Sequence, residues 1–503
     1  MMKIQPLSLA GWQVASVVLA CITSGGLLWA RRRLRRKQRL PLPPGPSASP
    51  HGKHSAQQVQ QWIEEYGPII TLTNGKDIHV VIGRHHEAVM LMEKQGAVLA
   101  DRPYSVASNE ILSRGLKFMQ MSTCDRFRKY RKAAHAELQM KATLIYDNEQ
   151  AQYARNIVLD ILKDPASHQG HIKRFSATVT LRVIYGKTTP TYVDDPYIRH
   201  LQRMVPIVQG ALMPGAYKVD TYPFLKYVPG YTRGLDKWAD LEHEQFMNNV
   251  RQTKMGLENH TGPHSVAGGL LTKPELGMSE HEIAYFCGSL VGASFDTTQV
   301  AISTILMAAA HFPEIQEIVQ AEIDSAVGRE TAPSLENWCT LTKVHAFILE
   351  ALRWRPVNPL GVPHRAAKDI VWNGYCIPAN AIVSGNHWCV SRDPEVFPDP
   401  ERFDINRWID EDGNLNDLKA YSFGFGRRIC PGLNLANRAM FIAVATIMWA
   451  FTIKEDLSNR YNAFELPAAI VSHHKPYSIL YEPRTDVEWL KEVMSGQTSK
   501  SEA

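Results

Sequence analysis

Between Ser8 and Ala30 the chain runs 23 residues without a charged side chain, and seven of the next nine residues are Arg or Lys. As a helix rising 1.5 Å per residue, such a run spans roughly 35 Å, enough to cross a bilayer with some tilt. A cleaved secretory leader carries its basic residues ahead of a shorter apolar core. The reverse order here predicts a retained, single-pass transmembrane helix with its basic flank, and everything after it, in the cytosol. The sequon at Asn259–Thr261 is then expected to stay unglycosylated. Residues 1–30 are the expected membrane anchor. Residues 31–54 follow as a basic, proline-rich hinge, whose Pro41-Leu42-Pro43-Pro44-Gly45-Pro46 run favours a stiff extended spacer.

The formal charge of +5 belongs to that flank. Eight of the 55 basic residues lie before residue 40, where there is no acid, which leaves 47 basic against 50 acidic residues beyond it. So balanced a body offers no broad cationic face, and nucleic acid is not expected as a partner. Seven cysteines without a single CxxC pair argue against a disulfide framework or a structural zinc site and fit a reducing compartment. No linker, repeat or low-complexity block divides residues 55–490, so one large, mainly helical domain with minor sheet is expected, followed by a polar tail over 491–503. Helices are predicted at Ser55–Tyr66, His85–Lys94, Ser279–Phe312, Pro313–Val327, Leu341–Trp354 and Pro431–Phe451, the third opened by a Ser279/Glu282 capping box. Two short strands, Ile69–Thr73 and His79–Ile82, flank Asn74-Gly75, a dipeptide favoured in tight hairpins.

The segment Phe423-Gly424-Phe425-Gly426-Arg427-Arg428-Ile429-Cys430-Pro431-Gly432 sets one cysteine after a glycine-rich loop and before a long apolar helix. The helix N-terminus and Arg428 would favour its thiolate, and a metal would favour it further. Gly426 and Gly432 leave room for a flat cofactor against the backbone, and Phe423 can shield the sulfur from water. A lone loop cysteine is ordinarily a small core residue. The whole pattern, FxxGxRxCxG, resembles the haem-binding signature of the cytochrome P-450 family, whose cysteine is the axial thiolate ligand of haem iron. All five fixed positions match, at Phe423, Gly426, Arg428, Cys430 and Gly432.

Other marks follow in order. Glu350-Ala351-Leu352-Arg353 looks like the family's ExxR, and Pro400-Glu401-Arg402-Phe403 like its PERF segment, which implies a buried structural triad of Glu350, Arg353 and Arg402. Gly292-Ala293-Ser294-Phe295-Asp296-Thr297-Thr298 looks like the oxygen-activation motif (A/G)GxDT, with Ser294 where a glycine is usual. An acid beside a hydroxyl suits proton delivery during dioxygen cleavage, so Asp296 and Thr297 are the expected catalytic pair. A Thr297 bond to the carbonyl of Ala293 would open a local kink that leaves room for oxygen. Arg131, in a WxxxR-like stretch where Phe127 replaces the tryptophan, and His364 with Arg365 are the expected haem-propionate partners.

The resemblance implies a single-domain fold with haem b held between the I and L helices, behind the transmembrane helix. It also implies an endoplasmic-reticulum membrane location with the catalytic domain in the cytosol. No GxGxxG between a strand and a helix is present, so electrons would come from outside, and the resemblance implies NADPH through a separate NADPH-cytochrome P-450 reductase as their source. Basic residues Arg126, Arg128, Lys129, Lys132, Arg427 and Arg438 are expected to steer that partner's acidic surface. The family's pocket regions fall here on residues that include Leu116, Phe118, Leu212, Phe286, Phe295, Val357, Leu360 and Ile470, so the resemblance implies a mainly apolar lining without a fixed carboxylate or arginine and a bulky lipophilic substrate. The apolar stretch Ala211–Tyr217 and Tyr222–Leu225 would admit it from the membrane. It and the Leu352-Arg353-Trp354-Arg355-Pro356 run look like fungal members in secondary-metabolite biosynthesis. The expected reaction inserts one oxygen atom from O2. Oxidative coupling or rearrangement on the same iron is the alternative, and a non-catalytic haem sensor a more remote one.

Overall fold

The computed structural model describes residues 40–47, 54–74, 77–187, 195–213, 215–467 and 469–496, so the expected transmembrane helix lies outside the described residues. The expected helices and strands are present within a residue or two. Ser55 caps α1 (Ala56–Tyr66) by accepting from Gln58 N–H, and β1 (Ile69–Asn74) pairs antiparallel with β2 (Asp77–Ile82). His85–Glu87 runs into a wider π-helical turn at Ala88–Lys94. The helical body follows with α2 (Asp125–Leu138), α3 (Asp147–Lys163), α4 (His168–Tyr185), α5 (Pro196–Ala211) and α6 (Arg233–Glu258). Next come α7 (Glu280–His311), α8 (Pro313–Val327) and α9 (Thr342–Trp354). Both bonds of the Ser279/Glu282 capping box form at the start of α7. Then come β3 (His364–Arg365), β4 (Ile370–Trp372), β5 (Tyr375–Ile377), β6 (Ile382–Gly385), α10 (Leu433–Ala450), β7 (Phe451–Glu455), β8 (Ile479–Pro483) and α11 (Val487–Ser495).

Among the described residues two helices, α7 and α10, are long and apolar enough to cross a membrane, yet 78% of each apolar window is buried inside the protein. They pack on each other and, with α3, α4, α8 and α9, form the main core. The largest sheet has the order β1-β2-β6-β3, with β2 and β6 parallel and in register at Val80 and Val383. β6 ends at Gly385 beside the Cys430 loop, because a Cβ there would strike the Phe425 ring 2.5 Å away.

Three expectations need correction here. The proline-rich stretch is no free spacer: Thr71 N–H donates to Pro44 O and Cys376 N–H to Pro41 O, each at 2.8 Å, so it is sewn to the sheets. Nor does the polar tail begin at 491, since α11 continues beyond it and buries Leu490, Val493 and Met494. The third concerns the buried triad. Arg353 forks onto both Glu350 oxygens at 2.7 and 2.8 Å, and neither side chain is exposed at all. Arg402 offers only its backbone carbonyl to Arg353, its side chain standing on an exposed turn. The third arginine is Arg407, whose Nε lies 3.5 Å from Glu350 Oε1; Trp408 Nε1 and Asp404 N–H also donate to that carboxylate, at 3.0 and 2.8 Å. A buried carboxylate needs this many partners to offset its lost hydration.

Candidate active site

The Cys430 loop is shaped by its backbone. Cys430 N–H donates to Phe423 O at 2.9 Å, which closes the loop just ahead of α10. Gly426 holds φ +50°, and a Cβ on it would lie 2.5 Å from Met92 O. Its missing side chain therefore admits the π-helical turn, and not a cofactor as its place in the motif suggested. Gly432 does face the cavity, with Cys430 Sγ 3.9 Å from where its Cβ would be. Burial pushes the Cys430 thiol above its ordinary value, against the pull of the Gly432 N–H and the Arg131 guanidinium. The helix terminus therefore acts in the expected direction, with Arg131 in place of Arg428 as its charged helper, while burial opposes both; a bound cation would hold the sulfur ionised.

Cys430, Phe423, Gly432, Ala293, Asp296 and Thr297 all line one cavity of about 350 Å³. Its wall carries three arginines. Arg131 donates to Ile429 O at 2.8 Å, and Arg428 to Ala100 O and Met121 O while stacking 3.8 Å over Phe127. Arg102 donates to Met119 O, Val362 O and Pro363 O. None of the three has a carboxylate partner among the described residues. Burial, then repulsion by Arg428, brings Arg102 down to about 9, and burial brings Arg428 to about 10. His364 is buried beside them and bonds Leu99 O through Nδ1 at 2.5 Å; burial and the nearby Arg102 charge hold it near 3. Such a cluster fits a group bearing carboxylates, and with the cysteine sulfur in the same cavity the residues present fit a haem.

Arg365 is not part of this cluster. Neighbouring residues of a strand point to opposite faces, so while His364 faces the cavity Arg365 turns to Asp101, 3.2 Å away. Arg102, absent from the sequence reading, takes its place; a lone arginine in Ala100-Asp101-Arg102-Pro103 matches no motif used there.

On the facing wall, Thr297 Oγ1 donates to Ala293 O at 2.8 Å, as expected, and α7 stays α-helical through this point without the expected opening. The Ser294 hydroxyl is committed to Thr180 Oγ1 at 2.9 Å. Asp296, only 3% exposed, accepts from Gln209 Nε2 (2.5 Å) and Gln299 Nε2 (3.2 Å) and lies 3.2 Å from His473 Nε2. His473 itself is 45% exposed. Asp296 also lines a second, polar cavity with Gln169, Lys173, Gln202, Gln299 and His473, so it sits at the junction of two spaces. Of the expected pocket residues, Phe118, Leu212, Val357 and Ile470 line the main cavity, whereas Phe295 faces the polar one. Leu116 and Phe286 belong to the core, and Leu360 packs beside α1.

A mainly helical body that sets a loop cysteine opposite an acid-alcohol pair defines a class of oxygen-using haem enzymes. The comparisons agree: the chain belongs to the cytochrome P450 family, whose profile matches residues 47–481. It is similar to cytochrome P450 monooxygenase 88 of Postia placenta, 41% identical over 93% of this chain and 97% of that protein. Cytochrome P450 monooxygenase 113 of the same fungus is 39% identical over 95% and 99%, and cytochrome P450 monooxygenase criE of Aspergillus cristatus 32% over 90% and 84%. The protein is therefore a cytochrome P450 monooxygenase, of a family that carries haem iron.

Proposed function

We propose that the protein inserts one oxygen atom of O2 into a bulky lipophilic small molecule in a fungal secondary-metabolite pathway. Its electrons would come from NADPH through a separate reductase. The observation that carries this reading is the presence, in one cavity, of the Cys430 sulfur, three arginines without carboxylate partners, and the Asp296/Thr297 pair. Cys430 would bind the haem iron, and Arg102, Arg131 and Arg428 its carboxylates; His364, whose Nδ1–H is spent on Leu99 O, would join them through Nε2 once their negative charge keeps the ring protonated. When bound, haem supplies the dioxygen chemistry, one oxygen atom going to substrate and the other leaving as water. Thr297 holds a hydroxyl at the cavity wall, and Asp296 restores its proton. His473, touching solvent at one edge and Asp296 at the other, supplies the relay from outside. Phe423, held beside Cys430 by the bond from the Cys430 N–H, would shield the sulfur from bulk water.

Residues 1–30 anchor the enzyme in the endoplasmic reticulum with the domain from residue 40 onward in the cytosol. The exposed Tyr222, Phe224, Tyr227 and Tyr231 supply an apolar edge for substrate entry from the bilayer. The reductase face is narrower than the sequence suggested. Arg438 is buried against Asp147, Arg126 and Lys129 clamp Glu282, and Arg128 pairs with Asp125, which leaves Lys132 and Arg427 as exposed cations without ion pairs among the described residues. The test is turnover with NADPH, reductase and isotope-labelled dioxygen across a lipophilic panel. One labelled atom per product is expected, and unlabelled product overturns monooxygenation. Charge reversal at Lys132 and Arg427 is expected to slow reductase-supported turnover and flatten its salt dependence; unchanged kinetics remove that docking face.

A further inference from the structure

Helix α6 buries one stripe: Leu235, Ala239, Glu242, Phe246, Asn249 and Val250, at the spacing of a 3.6-residue turn. Glu242 is the sole ionisable residue in that stripe. Its partner comes from far away in sequence: Lys117 Nζ lies 2.6 Å from Glu242 Oε2, and the two side chains are only 7% and 8% exposed. Both line the main cavity, beside Ser289 and Gln245. A fixed charge pair therefore stands in the substrate space, where the sequence led us to expect none.

An ammonium carries three donors and a carboxylate about four acceptor sites. Here the pair makes one close contact, and the described residues offer the buried Glu242 Oε2 no further hydrogen-bond partner. Burying an ion pair with its remaining donors and acceptors unanswered is costly, so a cavity ligand that answers them gains affinity. We infer that Lys117 and Glu242 together recognise a hydroxyl group on an otherwise apolar, uncharged substrate. The hydroxyl oxygen accepts from Lys117 Nζ, and its proton is donated to the Glu242 carboxylate. A carboxylate ligand would add an unbalanced negative charge to this buried pair and an ammonium a positive one, whereas a hydroxyl uses both partners and leaves the site neutral. This inference rests on the proposed substrate class and narrows it.

The test titrates the haem-loaded enzyme with 1-methylpyrene, 1-pyrenemethanol and 1-pyrenecarboxylate, read by pyrene fluorescence and by the ferric Soret shift. Hydrophobic partition alone favours the methyl compound, so a preference for the alcohol reports hydrogen bonding. The alcohol is expected to bind about tenfold tighter than either of the others. In Lys117→Met/Glu242→Leu, which removes both charges together, that advantage falls to within about twofold. Glu242→Gln, which keeps the side-chain shape, lowers it to under about threefold. Equal binding of alcohol and hydrocarbon, a preference for the carboxylate, or an advantage that survives in either variant overturns the inference. A CO-difference spectrum of the same samples tests haem-thiolate ligation separately: its failure with the alcohol preference intact sinks the function reading and not the recognition.

Discussion

The two walls of the main cavity are built differently. The cysteine wall is local: ten consecutive residues, one backbone bond from Cys430 N–H to Phe423 O, and a left-handed glycine pressed against Met92 O. The acid wall is assembled from afar: Asp296 on α7 is held by Gln209 from α5, His473 from the C-terminal turn and Gln299 one helical turn on. Backbone geometry leaves the first wall little freedom. The second depends on side chains, one of them in contact with solvent, and suits a group that must exchange protons.

Substitutions should separate the walls. Cys430→Ala is expected to abolish the thiolate-type CO spectrum and all turnover, and a normal spectrum would remove the cysteine wall from the chemistry. Asp296→Asn should lower coupled product formation about a hundredfold while leaving the CO spectrum intact, with His473→Gln less than about tenfold down. Equal losses in spectrum and turnover would erase the distinction between the walls. Gly426→Ala should destabilise the fold by about 1–3 kcal/mol in denaturant melts, because φ +50° and the Met92 carbonyl both resist a methyl group. Arg407→Ala should cost about 1–3 kcal/mol, and Arg402→Ala no more than about 0.5 kcal/mol.

Acid gives the smallest contrast. Burial holds His387, whose ring packs against Phe425 of the Cys430 loop, near 4. Because its folded value lies below the unfolded one, the unfolded chain takes up a proton that the folded chain refuses. Stability is therefore full above about pH 6.5 and falls as pH drops toward 4, by about 1–2 kcal/mol at pH 5.5 for this residue. His387→Gln should flatten that slope in thermal melts; an unchanged slope would show that His387 does not titrate as described.

The same difference explains what could be read from the chain. Cys430, Gly432 and the Thr297–Ala293 bond were legible because their spacing is fixed by one loop or one helical turn. Helix ends were legible wherever a cap marked them, as at Ser55 and Ser279. Arg102, Arg407, His473 and the Lys117–Glu242 pair were not, because each acquires its role from a segment that only the tertiary fold brings near. Arg365 and Arg402 were misassigned for a related reason: a motif gives the residue type, while strand alternation or an exposed turn decides where the side chain goes.

The bonds from Pro41 and Pro44 to the sheets have a bearing on how the enzyme would sit at a bilayer. With the fold gripping the chain from Pro41 and the proposed anchor ending at Ala30, ten residues join them, a leash of at most about 35 Å. On so short a tether the folded body stays within about 35 Å of the bilayer, where a poorly soluble substrate dissolved in lipid would be at its highest local concentration.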